Sequence, residues 1–376
     1  MEKYRGKLFN PEVWEGYQKT LPSTKENALV KSAIFENVNK YNAKLGEQAG
    51  GFYIVEPIKG RIGGTPVNYD GQTDITSNER DTFYQGKIAY GRANAWGEYD
   101  FASSITGNNF KAEAGEVKEY WDEQRQETAL SILKGIFSMT GGVNGQFVEK
   151  HTLNVNGNLE ADSCNRAAQK ALGDKKKNLN VMFMHSAVST QLEGLNLINF
   201  LKYTDENGIE KELQIGQYNG KLVVVDDDMP VEDVYEKTAD TELVAGKTYY
   251  TKSGNKYTAV AEPSASALNT YYEKHVEYTT YLMANKFFEF EPLNVLVPAE
   301  IDRQAKEKGG HTDLISRIRE IIVPKLLSYK TRTAVSPTNA DLSTGANWEL
   351  VNNGAESNTV YVDDKLIPVV RIISRA

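Results

Sequence analysis

Few residues in this chain combine a reactive type with the neighbours that chemistry requires. His185 and Ser186 stand where a short apolar run gives way to a helical pattern, so a serine nucleophile with a base beside it is conceivable. No G-x-S-x-G turn surrounds them and adjacent side chains point apart. Ser186 reads more economically as the N-cap of the helix that follows. Asp226, Asp227 and Asp228 would offer two same-side carboxylates to a divalent cation. The loop glycine and later glutamate of a calcium site are missing, and a solvated strand end before Pro230 accounts for them better. Gly246-Lys247-Thr248 echoes the end of a phosphate-binding loop, but Thr241 stands where that loop begins with glycine, and a β-prone run follows in place of a helix. The histidines His151, His185, His275 and His311 are too scattered for a metal-ligand pattern. Cys164 is the single cysteine, so no intrachain disulfide can form. In its Ala-rich helical stretch it reads as a small buried apolar residue of a protein made in a reducing cytoplasm. No catalytic residue, cofactor or metal is assigned, and the expectation is a protein without enzymatic activity.

Composition sets loose limits on what remains. A chain of 376 residues, 40% of them hydrophobic, can bury a large core and has the length for two or three lobes. With 43 basic against 51 acidic residues the net charge is -8, which argues against a dominant basic face that grips nucleic acid. No apolar run approaches the roughly 18 residues of a membrane span, and the start MEKYRGKLFNPEVWEG has no apolar signal core.

The elements can be read from periodicity. The first 25 or so residues carry Pro11, Pro22 and the isolated aromatics Phe9, Trp14 and Tyr17, as expected of an arm that finds its partners on another surface. From Asn27 to Leu45, Val30, Ile34, Val38, Tyr41 and Leu45 fall on one helical face. Gly50 to Phe101 has short β-prone runs around a polar middle and reads as a long hairpin with its tip near Asp70 to Asp81. That tip sets Asp70, Asp74, Glu79 and Asp81 against Arg80.

Ala112 to Met139 lacks proline and predicts one helix of about 40 Å at 1.5 Å per residue. Its stripe is Val117, Trp121, Thr128, Ile132 and Ile136, widened by Tyr120, Leu133 and Phe137. Gly115 and Gly135 are expected to fray its ends. Leu153 to Pro298 alternates helix and strand, with a helix over Leu159 to Leu172 closed by Gly173. Within it, Val231 to Glu277 alternates Thr, Tyr and Val between turn signals and predicts a compact β module. Its tyrosines Tyr235, Tyr249, Tyr250, Tyr257, Tyr271 and Tyr272 would form either a glycan- or host-binding face or, the favoured reading, the core of a tiny domain. Leu314 to Val323 fits helix and strand templates alike.

Several segments resemble the major capsid proteins of tailed bacteriophages: NVMFMHSAVSTQLEGLNLINFLKYTD, KLVVVDDDMP, ALSILKGIF, SPTNADLSTGANWE and KLIPVVRIISRA. The resemblance implies an α+β chain with the HK97-like capsid fold. Its parts would be an N-terminal arm and helix (1–49), an extended β-hairpin loop (50–102), and a spine helix with peripheral domain (103–152). An axial domain (153–230), a β-rich insertion (231–277), and return strands to both domains (278–376) would complete it. Comparable proteins pass almost directly from the acidic Met-Pro turn to a strand like YTTYLMANKFFEF, which marks 231–277 as an insertion. Leu314 to Val323 then becomes a strand.

In function the resemblance implies a subunit that assembles with itself, as hexamers and pentamers, into an icosahedral shell around the phage genome. Asp70, Asp74, Glu79, Arg80, Asp81 and Trp14 would make contacts between subunits, and Val117, Trp121, Ile132 and Ile136 would form the core of the spine helix. The other implied partners are a separate scaffolding protein, a portal, decoration proteins, and double-stranded DNA held without sequence specificity; no membrane is implied. The virion would be assembled in the host cytoplasm. Some members of this fold crosslink a loop lysine to an asparagine, and Lys59 and Lys87 lie in the predicted loop, though nothing marks a partner. The alternatives are a non-viral nanocompartment shell of the same fold and, less well matched, a phage tail or receptor-binding protein.

Overall fold

A computed structural model of the protein describes residues 2–4, 7–9, 32, 34–45, 52–75, 77–100, 114–204, 210–244, 246–261, 263–306 and 309–376. Trp14 and most of the expected arm lie outside them. The chain forms two units, Met1–Val148 with Lys286–Ile367, and Glu149–Asn285 with Pro368–Ala376.

In the first unit a mixed sheet runs from Phe35–Asn37 through Phe288–Pro292, His311–Pro324 and Thr82–Tyr99 to Tyr53–Lys59, with Ala299–Gln304 also paired to His311–Pro324. The strand Thr82–Tyr99 serves two partners. Its first residues close the hairpin with Tyr53–Lys59, from Lys59↔Thr82 to Tyr53↔Ile88. The remainder runs antiparallel to His311–Pro324, from Ala89↔Ile321 to Tyr99↔His311. Neighbours on both sides of His311–Pro324 supply hydrogen bonds that local periodicity could not reveal, and they settle its ambiguity in favour of strand.

The expected helix over Asn27 to Leu45 needs correction. Residues 27–31 and 33 are not described, Phe35–Asn37 is a strand parallel to Phe288–Phe290, and only Asn42–Leu45 is helical. Phe35 stacks on Phe288 at 5.4 Å and meets Phe290 edge-on at 6.1 Å. Sheet pairing plus aromatic packing outweighs a short helix that is marginal on its own. The spacing still selected buried residues, since Ile34, Tyr41 and Leu45 are all in the core.

The long helix spans Ala114–Ile136. Trp121, Thr128, Ile132, Leu133, Ile136 and Phe137 are buried, whereas Val117 and Tyr120 are only partly covered. Gly135 does not fray it. A methyl group there would overlap the Leu342 carbonyl oxygen and stand 2.6 Å from Trp348 Nε1, so this glycine permits close approach. The approaching segment is SPTNADLSTGANWE. Thr338 and Asp341 form a reciprocal capping box on the helical turn Asn339–Leu342. Trp348 Nε1 donates to the Leu342 carbonyl at 2.7 Å.

The second unit is built on the strand Tyr272–Met283. Val181–Met184 and Val369–Arg375 flank its second half, and both pair with it antiparallel. Beyond them Val181–Met184 runs parallel to Lys221–Val225, and Val369–Arg375 parallel to Thr152–Asn158. The KLIPVVRIISRA ending is therefore an interior strand. Helix Ser163–Leu172 ends at Gly173, whose φ of 56° suits glycine. It turns Cys164, Ala167, Ala168 and Ala171 into the core, where burial raises the Cys164 thiol to about 11. The β-rich segment is continuous with this sheet: Val231–Lys237 pairs along the first half of Tyr272–Met283, and the hairpin Tyr250–Ser253/Lys256–Ala259 joins at Tyr250↔Tyr272.

Candidate assembly surfaces

The loop between Lys59 and Thr82 has no core of its own. Ile62, Tyr69 and Ile75 are 85%, 92% and 76% exposed, an unusual display for apolar side chains in one short stretch. The charged residues of the tip divide by role. Asp70 Oδ1 accepts from the Gln72 and Thr73 amides at 2.9 and 2.7 Å, and these bonds, with the Thr73 hydroxyl, hold its carboxyl at about 2. Arg80 Nε donates to the Gly60 carbonyl at 2.6 Å and fastens the two ends of the loop. Asp74, Glu79 and Asp81 are exposed and make no ion pair among the described residues.

At the base of the hairpin lies a polar knot that was not anticipated. Lys87, with 2% of its side chain exposed, bridges Glu56 on the facing strand and Glu289 at 3.3 Å, and donates to the Tyr41 hydroxyl at 2.6 Å. Tyr41 in turn donates to Glu289. Lys87, one of the two lysines of the predicted loop, is thereby enclosed within its own subunit. Glu291, 1% exposed, accepts from the backbone amides of Lys40, Tyr41 and Asn42 at 2.8, 2.7 and 2.8 Å, capping the helical turn Asn42–Leu45 from a distant strand. A signal was available: Glu289 and Glu291 alternate with Phe288 and Phe290, so two carboxylates share one face of an apolar strand.

Burial opposes ionisation of both glutamates, but their partners prevail. Tyr41, Lys87 and Lys40 hold Glu289 below the usual range, and the three amides do the same for Glu291. Carboxyls with lowered folded-state pKa stabilise fully above the unfolded value of about 4.3, and that stabilisation is lost as pH falls through the folded value. Glu291→Gln should therefore unfold more readily than wild type at pH 7, by about 1–2 kcal/mol. The two thermal melting curves should converge as the pH falls below the unfolded value of about 4.3. A gap that does not narrow on further acidification below that value would show that Glu291 does not act through its charge.

A second surface of the first unit is a groove of about 780 Å³ lined by Phe52, Arg92, Leu296, Arg317 and Val335 among others. Leu296 is 99% and Val335 67% exposed. Arg317 pairs with Glu300 at 2.5 Å, and Arg92 lies over the Tyr90 ring at 5.1 Å. The groove thus offers apolar contact beside guanidinium groups, the counterpart of what the hairpin tip displays.

The residues first considered for chemistry take structural roles. His185, not Ser186, is the N-cap of helix Ser186–Gly194: its Nδ1 accepts the Ala187 amide at 3.1 Å. That lone pair is engaged, and the Ser186 amide donates to Asp227 Oδ1 at 3.2 Å. Asp226 Oδ1 accepts the Asp228 amide at 2.9 Å and closes the strand-end turn. Among the described residues no group of three or more His, Cys, Asp or Glu could hold a metal ion, and no helix is long and apolar enough to cross a membrane.

No protein-family profile matches the chain. It is 24% identical over 366 residues to the major capsid protein of Bacillus phage SPP1, covering 96% of this chain and 95% of that protein. Among solved structures, the capsid of cyanophage Pam1 aligns with a TM-score of 0.53 at 9% identity, covering 98% of this chain and 96% of that one. The acid-stable capsid of Helicobacter pylori bacteriophage KHP30 aligns over the full length of both chains, with a TM-score of 0.50 at 11% identity. Sequence similarity to a phage major capsid protein along nearly the whole chain, joined to this shared architecture, gives the protein the HK97-like capsid fold and a structural role in a capsid.

Proposed function

We propose that the hairpin of one subunit lies across the first unit of a neighbouring subunit, and that this contact, repeated, draws copies into the hexamers and pentamers of a closed shell. The observation that carries this reading is the display of Ile62, Tyr69 and Ile75 on a loop with no core. Such residues gain from burial at about 25 cal/mol per Å² only when a second surface covers them. The groove beside Leu296 and Val335 would serve as that surface, with Arg92 and Arg317 in its lining as the cationic counterparts of Asp74, Glu79 and Asp81, Arg317 sharing its charge with Glu300. The first unit, with its long helix, acts as the peripheral domain, and the second as the axial domain. Trp14 belongs to an arm that adds a further contact. The chain carries out no catalysis; it assembles in the host cytoplasm with a separate scaffolding protein and a portal, and its inner face meets packaged DNA without sequence recognition. The net charge of -8 suits a wall that must not bind its contents tightly.

Individual exposed ion pairs contribute only about 0–1 kcal/mol, but repetition over a shell makes small contributions decisive. Because Asp70 shapes the loop, the informative variant spares it. Asp74→Lys/Glu79→Lys/Asp81→Lys should leave the subunit folded while slowing or misdirecting assembly, with added salt narrowing the difference. Light scattering and negative-stain imaging across a salt series provide the test. Wild-type kinetics and particle size at low salt would mean that the tip is a free surface loop.

A further inference from the structure

Strand register sorts the six tyrosines of the 231–277 segment onto two faces. Tyr249 and Tyr271 form a small core with Leu268, and their hydroxyls are satisfied. Tyr249 donates to Asp240 at 2.7 Å and accepts the Val244 amide at 3.1 Å, while Tyr271 accepts the Ser264 amide at 3.1 Å. The other four lie opposite. Tyr235 pairs with Lys274, Lys237 with Tyr272, Tyr272 with Tyr250, and Lys252 with Tyr257. Paired residues share a face of a pleated sheet, so four tyrosines and three lysines point one way. The favoured expectation, that all six tyrosines form a core, holds for two of them.

The four rings form one cluster. Tyr235 and Tyr257 stack at 4.1 Å with 4° between their planes, and Tyr250 and Tyr272 meet them edge-on at 5.1 and 5.2 Å. Among the described residues, none of these four hydroxyls makes a hydrogen bond, and Lys237 and Lys252 make no ion pair. Lys252 lies over the Tyr257 ring at 5.5 Å, and Lys274 pairs with Asp233 at 2.8 Å. On a chain of net charge -8 this face has the opposite sign.

We propose that this face docks a separate protein that presents a carboxylate-rich segment. Each ring packs against another ring, so the cluster is a rigid unit rather than a row of separate stacking platforms for sugars or nucleobases. What remains outward is a set of phenol and ammonium donors whose natural complement is carboxylate oxygen. Rigid tyrosines lose little side-chain entropy on binding and suit a protein interface. Two ammonium groups without an internal counter-charge supply the electrostatic complementarity.

The test uses the full-length chain and a fluorescent glutamate–tyrosine copolymer as the acidic probe, with dextran and single-stranded DNA as alternatives, read by anisotropy. Saturable binding of the copolymer is expected. It should weaken by at least about tenfold in Lys237→Glu/Lys252→Glu, as the loss of charge-assisted contacts implies. It should weaken more modestly in Tyr250→Phe/Tyr257→Phe, which keeps the rings and the fold but removes two donors. The proposal is overturned if wild type does not bind the copolymer, or if the lysine variant binds it unchanged. It is also overturned if dextran or DNA binds more tightly. Altered sedimentation of the chain alone in these variants would make a second copy the occupant, and would overturn it equally.

Discussion

Replacing Arg125 by methionine is expected to destabilise the first unit by about 3–5 kcal/mol, the cost of leaving a buried charge without its partner. The charge is that of Glu320, 1% exposed in the middle of the sheet. Arg125, on the long helix, donates to its Oε1 from Nε and a terminal nitrogen at 2.8 and 2.5 Å, and Tyr90 donates to its Oε2 at 3.1 Å. Burial works against the charge of Arg125, yet Glu320 and Asp122 raise its pKa overall, the sign of a pair whose geometry is good. Removing only the arginine leaves the carboxylate desolvated, with the Tyr90 hydroxyl as its remaining side-chain partner among the described residues. The double variant Arg125→Met/Glu320→Leu should regain most of the loss, because apolar replacement of a whole buried pair is often neutral. Thermal and urea unfolding of the isolated subunit would measure both. A loss below about 1 kcal/mol in the single variant, typical of exposed pairs, would show that water reaches Glu320 and that the pair does not hold helix to sheet.

The second expectation reverses the sign that helix propensity alone would assign. Gly135→Ala in an isolated helix would stabilise it by about 1 kcal/mol. Here the added methyl overlaps the Leu342 carbonyl oxygen and meets the Trp348 indole at 2.6–2.8 Å. Neither yields readily: the carbonyl belongs to a turn held by the Thr338–Asp341 box, and the indole donates to that same carbonyl. Destabilisation of about 1–3 kcal/mol is expected, as for other overpacked sites, and more for Gly135→Val. A melting temperature equal to or above that of wild type would mean that the 336–348 segment is not seated on the helix as described. Loss of shell yield in parallel with the lowered stability would tie this packing to assembly.

What the sequence determined by itself was whatever depends on neighbours along the chain. The stripe at Trp121, Thr128, Ile132 and Ile136 reports a helix face because every third or fourth residue meets the same surroundings. Gly173 ends its helix for a reason confined to one residue's φ. Part of SPTNADLSTGANWE was legible for a related reason: Thr338 and Asp341 stand three residues apart, the spacing of a capping box that needs no distant partner. Tertiary structure decided everything that rests on residues far apart in the chain. Phe35–Asn37 became a strand because Phe288–Phe290 offers it a ladder. Lys87, Glu56, Glu289 and Tyr41 have no sequence spacing that would group them, and only the sheet brings them within hydrogen-bonding distance. His185 displaced Ser186 as the cap because the turn of the backbone places its Nδ1 on the Ala187 amide. The six tyrosines illustrate the division most plainly. Composition could say only that they were there, while strand register, a property of paired backbones, sent two to a core and four to a surface.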